Sequence, residues 1–118
     1  MTKRTHMTAL LALAVCASTL PLLPSLAGEP ITLTIKEHRF TPDQVTAPAG
    51  ERFQIKVSNL DATPSEFESR ELRVEKIVVA GGTISVMAGP LKPGTYKFFD
   101  DYHPDTAIGT LTAVEKKN

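Results

Sequence analysis

The chain has 118 residues, with 13 Lys plus Arg against 13 Asp plus Glu, for a formal net charge of zero. That balance excludes the basic face a nucleic-acid partner requires, and a single cysteine, Cys16, excludes an intrachain disulfide framework. The length accommodates one hydrophobic core and leaves no room for two.

Residues 1–27 read as a signal peptide. Lys3 and Arg4 form a short positive start, Thr8 to Leu23 is almost uncharged and apolar, and Ser25-Leu26-Ala27 puts small residues at a cleavage site. Pro21 and Pro24 interrupt the apolar run and no positive flank follows, which argues against a membrane anchor. Val15 stands where a lipoprotein site needs a small residue before Cys16. The expected mature chain is one domain, residues 28–118, exported to the periplasm. It has no cysteine, and its 13 acidic and 11 basic residues give it a net charge of −2.

In chain order, the mature part reads as strands separated by turns. Ile31 to Ile35 alternates apolar and polar residues, and so do Phe53, Ile55 and Val57 after the turn Pro48-Ala49-Gly50. Ser65 to Glu75 lacks glycine and is the one stretch compatible with a helical turn, two turns at most. Ile77 to Val79 is a β-branched run ended by Gly81-Gly82, and Ile84 with Val86 marks another strand. Lys92-Pro93-Gly94 is a tight turn, and Thr95 to Phe99 and Ile108 to Val114 complete the set. Seven or eight short strands at this spacing predict an all-β, antiparallel Greek-key β-sandwich.

Two segments concentrate metal-binding side chains next to turn residues: Asn59 to Ser69, and Tyr96 to Pro104. Glu66 and Glu68 flank Phe67, so in an extended chain both carboxylates share one face while Phe67 enters the core. Asp100 and Asp101 point to opposite sides of a strand, so one of them binds. His103 lies on a loop flanked by Asp101 and Pro104. His38, between Glu37 and Arg39, reads as a surface histidine, with a second, peripheral metal site as the alternative, and Met87, the one methionine after the leader, as packing. No nucleophile elbow or phosphate-binding glycine loop is present.

The run Tyr96-Lys97-Phe98-Phe99-Asp100-Asp101-Tyr102-His103, followed by Ala107-Ile108-Gly109, resembles the last hairpin of a cupredoxin. Matched position by position, His103 stands on the family's histidine, Asp100 on its cysteine and Ile108 on its methionine. The first-histidine position falls near Ser65 or Glu66. A blue-copper centre needs two histidines and a cysteine thiolate, so electron transfer of that type is not expected. Thr63 to Ser69, Glu75-Lys76, Gly89-Pro90-Leu91 and Phe98 to His103 are similar to the cupredoxin-like periplasmic proteins of bacterial ferrous-iron uptake systems. That resemblance implies binding of copper or iron and help in oxidising and delivering ferrous iron. It also implies a membrane iron permease and other periplasmic uptake components as partners.

The expected metal ligands are Glu66, Glu68, Asp101 and His103, with Asp101 preferred to Asp100. Carboxylate and imidazole suit Fe, Mn, Zn and Cu(II). Anionic oxygens favour Fe³⁺ over Fe²⁺, because the higher charge gains more from each carboxylate. A ferroxidase-like component is one reading of this set, as a monomer or homodimer. The alternatives are a copper chaperone or storage module and a metal-free interaction domain.

Overall fold

A computed structural model describes residues 28–117, so the expected signal peptide lies outside the described residues. Their regular structure is all β. The strands are β1 (Ile31–Lys36), β2 (Arg39–Thr41), β3 (Gln44–Pro48), β4 (Phe53–Asn59), β5 (Ser65–Ser69), β6 (Val74–Val78), β7 (Thr83–Ala88), β8 (Gly94–Asp100) and β9 (Ile108–Val114). They form a four-stranded sheet, β2-β1-β4-β7, and a five-stranded sheet, β3-β9-β8-β5-β6.

The expected sandwich is present, with two differences. The sheets are mixed, since β1 pairs with β4 and β3 with β9 in parallel. After β2 the chain moves β3 onto the other sheet, and β4 then returns to the first running in the same sense as β1. Local alternation carries no information about that crossing. The second difference is Ser65 to Glu75, which holds a β-hairpin and no helical turn. Ser65, Phe67 and Ser69 are buried while Glu66 and Glu68 alternate outward, and β5 is hydrogen-bonded on one side to β6 and on the other to β8. Arg70 to Arg73 form the tight turn of that hairpin, closed by the Arg73 amide on the Arg70 carbonyl at 3.2 Å.

The core lies between the inward faces of the two sheets. Leu33, Ile35, Ile55 and Val57 face Phe67, Phe98 and Leu111, and all are essentially inaccessible. Phe40 meets Phe67 and Phe98 edge-on, with ring centroids 6.0 and 5.0 Å apart, a geometry that contributes roughly 0.5–1.5 kcal/mol per pair beyond burial. Phe53 and Phe98 are core aromatics, and Tyr96 packs against the core from its margin. Met87, expected to pack, faces solvent instead. Gly109 is required by close approach: a Cβ there would stand 2.2 Å from Phe98 Cζ and 2.8 Å from the Asp43 carbonyl oxygen. Phe98 can therefore pack closely over β9 at its register partner, Gly109.

Candidate metal centre

The chemistry-bearing residues fall into two groups at the same end of the sandwich, separated by the alternation of β8. Asp100, its last residue, points inward and has no accessible surface. Its Oδ1 accepts hydrogen bonds from the amides of Glu66 (2.8 Å) and Tyr102 (3.0 Å). Its Oδ2 accepts one from His103 Nδ1 at 3.0 Å. Burial works to raise this carboxyl. The Glu66 amide, the Ser65 hydroxyl beside it, His103 and the Tyr102 amide outweigh burial and hold it below the usual carboxylate range. An ionised carboxylate only accepts, so His103 donates from Nδ1 and Asp100 leaves Nε2 unengaged.

The second group is carboxylate-rich. Phe67 is the buried pivot of β5, and Glu66 and Glu68 emerge on its outer face. The amide of Asp101 donates to the Glu66 carbonyl at 3.0 Å, which brings the exposed Asp101 side chain over the same strand. One oxygen from each of Glu66, Glu68 and Asp101 lies within 4.8 Å of the others. That separation is within reach of one cation with metal–oxygen bonds of about 2.0–2.6 Å.

Glu75 and Tyr102 border this group, and residue-by-residue reading missed both. The register places Glu75 directly opposite Glu68, and like charges so paired repel. The Glu66 carboxyl is pushed above its ordinary range, first by desolvation and then by contact with Glu75 and repulsion from Glu75 and Asp101, against the Tyr102 hydroxyl. The Tyr102 phenol is pushed up in turn by desolvation and by its acidic neighbours, Glu66 foremost. Pairing Ser65–Ser69 with Val74–Val78 as a hairpin would have revealed Glu75.

Of the four expected ligands, the structure therefore brings Glu66, Glu68 and Asp101 together. His103 is engaged elsewhere. Its Nδ1 is on Asp100, and its ring stacks on His38 with centroids 3.6 Å apart and planes 16° from parallel. His38 is accordingly half-buried against another ring, not the free surface histidine that its neighbours in sequence suggest.

The profile of the cupredoxin-like domain family matches residues 6–113, and the chain belongs to that family. It is 43% identical over 81 residues to an uncharacterized protein of Rickettsia prowazekii (strain Madrid E), covering 69% of this chain and 65% of that one. The chain thus spans a little under two thirds of that relative's length. Auracyanin A, a "blue" copper protein from Chloroflexus aurantiacus, superposes with a TM-score of 0.62 at 14% identity, over 73% of this chain and 98% of its own. Amicyanin from Paracoccus versutus gives 0.58 at 14% identity, over 76% and 86%. At such identities these likenesses speak to the fold alone.

The residues here do not fit a blue-copper centre. Asp100 stands at the cysteine position with its oxygens taken by two backbone amides and His103. Ser65 is buried at the first-histidine position, and Ile108 is half exposed at the methionine position. Neither a thiolate nor a thioether is available there.

Proposed function

We propose that this protein is a periplasmic metal-binding cupredoxin whose cation is iron, held on Glu66, Glu68 and Asp101 and passed to a membrane permease. The single observation behind this reading is the convergence of those three carboxylates within the reach of one ion. Glu75 adds negative charge, and the Glu66 carboxyl is raised first by desolvation and further by Glu75 and Asp101. A hard, all-oxygen set of this kind suits Fe, Mn and related ions. It binds Fe³⁺ more strongly than Fe²⁺, so occupancy favours the oxidised ion. The electron leaves for an acceptor outside this chain. Export, the permease and the other uptake components rest on the leader-like residues 1–27 and on the likeness to ferrous-iron uptake cupredoxins.

Calorimetric titration with Mn²⁺, together with Fe²⁺ oxidation followed in aerated buffer where dioxygen takes the electron, tests the reading. The purified chain is expected to bind one Mn²⁺ and to speed Fe²⁺ loss. A Glu66→Gln/Glu68→Gln variant should do neither. Equal binding and oxidation by both proteins would remove the carboxylate site from consideration.

A further inference from the structure

Both histidines of residues 28–118 meet in one stack, although 65 positions separate them in the chain. Each has a carboxylate behind its Nδ1: Asp100 Oδ2 at 3.0 Å for His103 and Asp61 Oδ2 at 3.4 Å for His38. At His103 this is the environment that metal-binding imidazoles usually have, an outer carboxylate hydrogen-bonded to one ring nitrogen; at His38 the carboxylate stands close without a hydrogen bond.

The turn bearing His38 is held in an unusual shape. Glu37 and His38 have φ of 51° and 55°, in the left-handed region that non-glycine residues seldom adopt. Asp61 pins both, its Oδ1 accepting the Glu37 amide (2.7 Å) and its Oδ2 the His38 amide (3.0 Å). Asp61 is itself placed by buried Asn59, whose Oδ1 accepts the Asp61 amide and whose Nδ2 donates to the Thr63 and Val78 carbonyls. Positive φ at both central residues is what a two-residue hairpin loop needs, and Asp61 holds that shape here without glycine. The buried His38 Nδ1 nevertheless has no hydrogen-bond partner, so the His38 ring is the loosely held half of the pair.

We propose that His38 and His103 form a second metal site, separate from the carboxylates, that takes a borderline divalent ion, copper(II) or zinc(II), through the two Nε2 atoms. Two neutral imidazoles backed by two carboxylates match such ions and match Mn²⁺ poorly. With centroids 3.6 Å apart and planes 16° from parallel, the two rings lie face to face. To converge on one ion, the His38 ring tilts away from His103 while Asp61 keeps its backbone in place. The side chains are 40% and 27% exposed, which leaves the ion a route in. The site stands whether or not the carboxylates bind iron.

The test is Zn²⁺ and Cu²⁺ titration of the purified chain, by calorimetry and by NMR of the histidine ring protons, beside His38→Asn and Glu66→Gln/Glu68→Gln. Asparagine tolerates the left-handed backbone at position 38. Equimolar zinc should move the ring signals of both histidines. His38→Asn should weaken binding by at least about tenfold, the scale at which even outer-shell changes act. The double glutamine variant should bind zinc as the parent does. The proposal falls if zinc leaves the His38 ring signals in place, or if affinity follows the glutamates and not His38. Should His38→Asn fail to fold, the ring signals of the parent protein decide the matter. Copper binds almost any nitrogen-and-oxygen site, so zinc is the decisive arm.

Discussion

Asp100 is buried and hydrogen-bonded to two amides and a histidine, whereas Asp101, one residue further on, is exposed and faces Glu66 and Glu68. The inner group around Asp100 is charge balanced by directed hydrogen bonds, and it knits β5, β8 and the loop after β8 into one unit. The outer group around Asp101 is charge piled on charge, relieved among the described residues only by the exposed Arg70 guanidinium 3.8 Å from Glu68. One is built to hold the fold together, and the other is left in tension. The position that resembles the copper cysteine of this family is here a buried, hydrogen-bonded aspartate, and the carboxylates proposed to hold a cation lie outward.

The comparison can be broken most forcefully at the residue that joins the two groups. Phe67 fills the core beneath Glu66 and Glu68, so Phe67→Ala should cost about 3–5 kcal/mol in chemical denaturation and loosen the carboxylates with it. A loss under roughly 1 kcal/mol would mean that the outer strand does not depend on the core for its position.

Asp100→Ala should come next, at roughly 2–4 kcal/mol, because it strands the amides of Glu66 and Tyr102 in a buried setting. The same denaturation experiment on Glu66→Gln should show the opposite sign, a small rise in midpoint, because it relieves repulsion from Glu75 and Asp101. If both variants were destabilised alike, the division into a binding and a structural group would be lost.

The acid limb separates the groups in another way. Asp100 and Asp61 have folded-state carboxyls below their ordinary range. At Asp61 burial opposes this, and the His38 and Glu37 amides, with the two imidazoles, outweigh it. Their contribution is complete above the unfolded value of about 3.9 and is lost as pH falls through the lowered folded values. Glu66 is raised, so its folded form holds a proton more readily. It adds stability below the unfolded value of about 4.3, and that increment disappears as pH rises through its folded value. Denaturation from pH 3 to 6 should therefore show a flattened acid limb in Asp100→Ala. The smallest effect expected is in Glu66→Gln, where the opposing slope just above about pH 4.3 should vanish.

Much of this was legible in the sequence for identifiable reasons. Alternation placed Glu66 and Glu68 on one face of an extended chain with Phe67 beneath. The resemblance of Tyr96 to His103 to a cupredoxin's last hairpin located that segment, and alternation separated Asp100 from Asp101. Length, the single cysteine and the turn signals sufficed for a one-domain β-sandwich. Apart from the resemblance, these follow from the two-residue repeat of a strand and from local turn chemistry, which neighbouring residues set. What only the tertiary structure decided depends on strands distant in the chain. The parallel pairing of β1 with β4, the hairpin in place of a helical turn, and Glu75 opposite Glu68 are matters of register, which no single segment contains. The stack of His38 on His103 is the extreme case. It requires Asp61, beyond β4, to reach back and pin the β1–β2 turn while Asp100 orients the partner ring from the other sheet. Those contacts exist only once the two sheets have closed on a common core.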